Sequence, residues 1–117
     1  HIGVGAIVAM TESGGTARFL SRFRGRAPIF GFARHGGARR RMALMRDVFP
    51  MDYDSRGETP RQAARGSIRK LVEAGFLGPG DRVVFTSGEH METHGATNTL
   101  RLLQVGDDGK AEGLGEL

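Results

Sequence analysis

The sequence predicts an α/β fold built on a mainly parallel sheet, and three observations carry that expectation. Residues 4–10 (VGAIVAM) and 27–33 (APIFGFA) are continuous apolar runs, the mark of strands covered on both faces. Between them Thr16, Phe19, Leu20 and Phe23 form an apolar stripe at helical spacing, with Arg18 and Arg22 on the other side. Strand, helix and strand in so short a stretch predict a right-handed crossover between two parallel strands.

The first strand runs into Thr11, Glu12, Ser13, Gly14, Gly15 and Thr16, a tight turn that opens on the start of the first helix. Unpaired N–H groups, hydroxyl donors and the helix dipole together favour an anion there. The plainer reading is that the hydroxyls only cap the helix. Residues 24–26 stop that helix, and the second strand follows with Pro28 near its start. Arg34, His35, Gly36 and Gly37 break the pattern. Residues 38–46 then carry Ala38, Met42 and Met45 on one face, a short second helix. Residues 47–51 read as a third strand in which Pro50 marks an end or a sheet edge. Residues 52–58 are a polar loop. Thr59, Pro60 and Gln62 spell a helix start, with an N-cap, a proline in the first turn and a capping-box partner. Ala64, Ile68, Leu71 and Val72 are its buried stripe, and Gly75 is placed to cap its end. Phe76 and Leu77 fold back on the core. A turn at 78–81 leads to a fourth strand at 82–86. Residues 87–96 are a loop, and residues 99–105 a fifth strand, expected at a sheet edge with one wetter face. From Gly106 the acidic, glycine-rich tail is expected to fray.

The chain has 117 residues, enough for one domain with a real core. It has no cysteine, which rules out disulfides and thiolate metal sites and fits a reducing cytoplasm. No apolar run approaches the ~20 residues that span a bilayer, and no signal-peptide pattern opens the chain. The first residue is His1 and not Met, so the sequence is expected to be processed, trimmed or cut from a longer chain. Seventeen basic residues, fifteen of them Arg, stand against thirteen acidic ones, for a net charge of +4. Arg suits phosphate and nucleic acid. The charges are interspersed, however, apart from Arg39, Arg40 and Arg41, and one Tyr and no Trp leave little for base stacking. That arginine run reads as a solvated helix face. His90 and His94 share a zinc-helix spacing, but Glu92 is not next to the first His and the segment reads as loop. Gly3 and Gly5 precede a strand and lack a third glycine, so they do not make a dinucleotide fingerprint. His35, at a strand end, lies where α/β ligands gather.

The ordered set of motifs resembles one family. TESGGTA at 11–17 with SRFR at 21–24 is similar to the effector-loop segment of pyruvate kinase C-terminal domains. The resemblance continues through Ala27, Pro28 and Ile29, through Arg34 and His35, and through LMRDVFP at 44–50. It closes with Gly80 and Asp81, TSG at 86–88 and GATNTL at 95–100. It runs from about residue 4 to 105, within a domain spanning 1–117 whose last residues, 106–117, form a flexible tail.

The resemblance implies a three-layer α/β fold with five mostly parallel strands flanked by helices. It implies a non-catalytic role: phosphoryl transfer from phosphoenolpyruvate to ADP takes place in a separate barrel domain, with magnesium and potassium, and this domain carries no cofactor and no catalytic residue. It supplies subunit contacts in a cytoplasmic homo-oligomer and a site for a sugar phosphate or nucleoside monophosphate. Carried over by position, the phosphate would lie on Thr11, Ser13, Gly14, Gly15 and Thr16, with Arg61, Arg65, His94 and Gly95 as further contacts. Departures bear on the ligand. The loop at 89–95, EHMETHG, is bulkier and more acidic than the glycine-rich form of members activated by fructose bisphosphate. Arg56 and Ala63 stand roughly where those members place a Trp and an Arg for a second phosphate, which argues for a monophosphate ligand or none. Asp47 replaces a glycine, which puts that turn's geometry in question. Helices that precede the first strand in full-length relatives are absent here, so apolar surface is expected to be exposed. The alternatives are a stand-alone module that binds phosphorylated metabolites and a basic nucleic-acid-binding domain.

Overall fold

The structure is a computed structural model that describes residues 5–11, 14, 17, 27–87 and 99–116. The helix expected at 16–23 and most of the loop expected at 87–96 lie outside the described residues. The described elements, in order, are β1 (Ala6–Met10), β2 (Ile29–Ala33), α1 (Gly36–Met42), β3 (Val48–Asp52), α2 (Pro60–Glu73), β4 (Arg82–Ser87), β5 (Thr99–Val105) and β6 (Ala111–Glu116). They form one six-stranded sheet in the order β3-β2-β1-β4-β5-β6. The pairs β1–β2, β1–β4 and β2–β3 are parallel, whereas β4–β5 and β5–β6 are antiparallel.

Period-two alternation sends each strand's side chains into two separate cores. Ala6, Val8, Met10, Phe30, Phe32, Val83, Phe85, Leu103 and Val105 meet Ala63, Ala64, Ile68 and Leu71 of α2. Ala9, Ile29, Ala33 and Val48 meet Ala17 with Ala38 and Met42 of α1 on the opposite face. Gly31 is required by packing: a Cβ there would overlap Met42 Sδ, so the missing side chain lets α1 lie close to β2. The α2 start forms as its sequence dictates. Gln62 N–H donates to Thr59 Oγ1 at 3.2 Å and Thr59 N–H to Gln62 Oε1 at 2.9 Å, the reciprocal capping box. Gly75 ends the segment at φ +86°, a conformation glycine adopts without steric cost. The Asp47 turn keeps its left-handed backbone without glycine: Asp47 sits at φ 59°, which Asp tolerates better than most residues, and its carbonyl accepts Ile29 N–H at 3.0 Å.

Two expectations are corrected at the sheet's far side. The sheet has six strands, not five, and β5 is not an edge. The residues from 106 onward, expected to fray, turn back and pair β6 antiparallel to β5, with Gln104 opposite Glu112 and Val105 opposite Ala111. The turn is held by Gly106 N–H to Lys110 O at 2.8 Å, with Gly109 at φ +79°. The open N–H and C=O groups along β5 give this short segment a partner that its composition does not advertise. Pro50 does lie in an edge strand, β3. No helix among the described residues is long and apolar enough to cross a membrane.

Candidate functional site

β1 sits between β2, reached by a crossover on one face, and β4, reached through α2 on the other. In open parallel sheets this reversal leaves a crevice at the carboxyl ends of the two central strands. Thr11 stands at that end of β1. Its N–H continues the ladder to Phe32 O at 2.9 Å. Its side chain is 3 % exposed, and Oγ1 accepts Gly14 N–H at 3.0 Å, which closes the turn. Gly14 has φ +89°, and a Cβ there would lie 3.1 Å from Met42 Cγ. Backbone conformation and packing therefore both call for glycine at this point. A hydroxyl that accepts one bond still has its proton to donate. No described residue takes that of Thr11.

A second hydroxyl at the same crevice escaped the sequence reading. Thr86 on β4 pairs with Ala9 of β1, is 1 % exposed, and its Oγ1 has no hydrogen-bond partner among the described residues. A buried polar atom left without a partner costs about 1–3 kcal/mol, so this hydroxyl is available to a ligand or a water. In the sequence Thr86 is one more strand residue next to Phe85. Only its burial beside β1 singles it out.

Of the expected phosphate ligands, Thr11 and Gly14 are thus brought together, whereas Ser13, Gly15 and Thr16 lie outside the described residues, as do His94 and Gly95. Arg61 and Arg65 are elsewhere. They project from the first half of α2 into a groove of about 280 Å³ whose other wall is Arg101 and Leu103 of β5 and the small residues of β6. Gly14 packs against α1, on the other side of the sheet, and no described residue of the turn lines that groove.

At the carboxyl ends of β2 and β3 the charges are already engaged. Arg39 Nη1 donates to Ala33 O and to Asp52 Oδ1, both at 3.0 Å, and Lys70 Nζ donates to Asp52 O. Arg40 and Arg41 are solvated, as the arginine run suggested, but Arg39 is a strand-end clamp. His35 is exposed at the N-cap of α1 and makes no side-chain cap bond. Tyr53 lies over Gly66 and edge-on to Phe32, at a 5.9 Å centroid distance, and donates to Glu58 at 2.9 Å. Burial, then the hydrogen bond and charge of Glu58, push its pKa up to about 12. Asp54 is held down at about 2 by its hydrogen bonds to Arg56. No cluster of three or more potential metal ligands occurs among the described residues.

The sequence model of the pyruvate kinase alpha/beta domain matches residues 1–103. The chain belongs to that family. Pyruvate kinase II of Salmonella typhimurium is 43% identical over 103 residues, 88% of this chain and 21% of the relative. The pyruvate kinase of Bacillus licheniformis is 33% identical over 116 residues, 98% of this chain and 20% of the relative. This chain therefore spans about a fifth of the length of the curated pyruvate kinases it matches, and corresponds to their C-terminal domain. Among solved structures, Cryptosporidium parvum pyruvate kinase in complex with ADP superposes with a TM-score of 0.69, over 86% of this chain and 20% of that one, at 18% identity. That likeness is one of fold. The family model ends at residue 103, whereas the match to the Bacillus licheniformis enzyme runs on through β6.

Proposed function

We propose that this chain is the regulatory and assembly domain of a pyruvate kinase and that its turn at residues 11–16 holds the phosphate of an effector. Two buried hydroxyls at the crevice carry the reading: Thr11, with a proton left to donate, and Thr86, whose Oγ1 has no partner among the described residues. Hydroxyl donors beside a glycine-bearing turn suit a phosphate oxygen. Ser13, Gly15 and Thr16 would complete the cradle, with His94 and Gly95 closing over it. A single phosphate suits the surroundings better than two. Arg56 is bound by Asp54, with Nη2 at 2.7 Å from Oδ2, and Ala63 is buried on the core face of α2. In this reading phosphoryl transfer from phosphoenolpyruvate to ADP, with its magnesium and potassium, belongs to the part of the enzyme this chain does not span. The domain acts on that chemistry from a distance, within a cytoplasmic homo-oligomer.

The test is thermal unfolding with ribose 5-phosphate, glucose 6-phosphate, AMP and fructose 1,6-bisphosphate at millimolar levels. At a hundredfold excess over Kd a ligand of the folded state adds about 2.7 kcal/mol. At least one monophosphate is expected to raise Tm in the wild type by more than it does in Thr16→Ala. The effector reading fails if none of the four stabilises the protein, or if Thr16→Ala responds as the wild type does.

A further inference from the structure

We propose that the groove between α2 and the β5–β6 hairpin is a second anion site, separate from the turn, that takes a small phosphate monoester. Three guanidinium groups line it, those of Arg61, Arg65 and Arg101, the last with a partner of its own, and no carboxylate does among the described residues. Arginine forks match phosphate oxygens two at a time, which ammonium groups cannot do. The floor is apolar, and a volume of about 280 Å³ admits a phosphorylated metabolite but not a polymer.

The placement of the charges argues that they are not there for the helix. Arg61 lies in the first turn of α2, at the positive end of the helix dipole, and no acidic residue occupies that turn. Arg65 is one turn further on. Like charges at this i, i+4 spacing repel. Both side chains are exposed, and neither has a hydrogen bond or ion pair among the described residues. An anion between them removes both penalties. The far wall comes from β6, where a Cβ at Gly113 would meet nothing within 4 Å, so the groove stays open on that side. The family model ends at residue 103, but the match to the Bacillus licheniformis enzyme extends through β6, so the whole groove lies in a segment shared with a relative.

Isothermal titration of the intact chain with glucose 6-phosphate tests this, with citrate as a polyanion that lacks phosphate. Two sites are expected. One is weakened at least tenfold by Arg61→Ala and by Arg65→Ala and is blocked by Ala111→Trp, whereas Arg40→Ala, a charge loss away from the groove, leaves it intact. The other responds only to Thr16→Ala. If Arg61→Ala, Arg65→Ala and Ala111→Trp all titrate as the wild type, the groove proposal is overturned and the effector turn stands. If the one site present is insensitive to Thr16→Ala but lost in the groove variants, the effector reading fails and the groove stands. Citrate bound in the groove as tightly as glucose 6-phosphate would overturn the phosphate assignment, and no binding of either compound would overturn both sites.

Discussion

At the scale of single residues, function and stability pull apart at Thr86. Its Oγ1 is buried without a partner among the described residues, next to the fully buried Phe85. Valine has the same shape and no polar atom, so Thr86→Val is expected to raise the unfolding free energy by roughly 1 kcal/mol. It should also weaken phosphate binding at the turn. A urea denaturation series checks the first effect, and a destabilised Thr86→Val would mean that the hydroxyl is satisfied in solution. Tyr53 gives a second measurable handle, because it is the chain's only tyrosine and there is no tryptophan to obscure it. Its phenol should ionise with a midpoint near 12 in an ultraviolet titration, against 10.0 for a free side chain. Glu58→Gln should bring that midpoint down. The folded state holds this proton more tightly than the unfolded chain, so the linked stability is complete below pH 10 and is lost between about 10 and 12. A wild-type midpoint at 10 would mean that Tyr53 does not pack over Gly66.

At the scale of elements, the β5–β6 hairpin is where composition misleads. Acidic residues and glycines suggest a solvated tail, yet the Asp108–Gly109 pair is itself a hairpin signal. Gly109 at φ +79° and Asp108 Oδ1, which accepts Lys110 N–H at 3.0 Å, do what that pair predicts. β6 covers the backbone edge of β5 and contributes a wall of the arginine groove. Removing residues 107–117 should leave β5 with an open row of donors and acceptors, and concentration-dependent association should appear in light scattering. A truncated chain with the mass and monodispersity of the parent would contradict this. Elsewhere the elements were legible because their signals are local. The box at Thr59 and Gln62 and the continuous apolar runs of β1 and β2 each act within a few residues.

At the scale of the whole molecule, α2 lies toward β1 and β6 and leaves part of its face of the sheet uncovered near β3. Phe49 and Phe76, 49 % and 55 % exposed, flank Phe30 at ring-centroid distances of 5.6 and 5.3 Å. With Gly5 and Pro28 they line a recess of about 200 Å³ at the amino edge of the strands. The exposed apolar surface that the resemblance led one to expect is therefore present, at the end of the molecule opposite the turn. Apolar surface of this kind marks a contact region. The 117-residue chain alone should bind a hydrophobic dye or self-associate, and Phe76→Ser should reduce either behaviour. A monodisperse monomer that binds no dye would count against it.

The sequence by itself determined the α/β class, the family and, among the described residues, the succession of strands and helices through β5. Apolar period, caps and turn residues act over short distances and are written where they operate. The tertiary structure decided what depends on neighbours remote in the chain. It paired β6 with β5, set Arg61 and Arg65 across a groove from Arg101, and buried Thr86 beside β1. A guanidinium or a hydroxyl carries no mark in sequence of what will face it. Its environment is fixed only when strand pairing and the docking of α2 bring distant segments to one place.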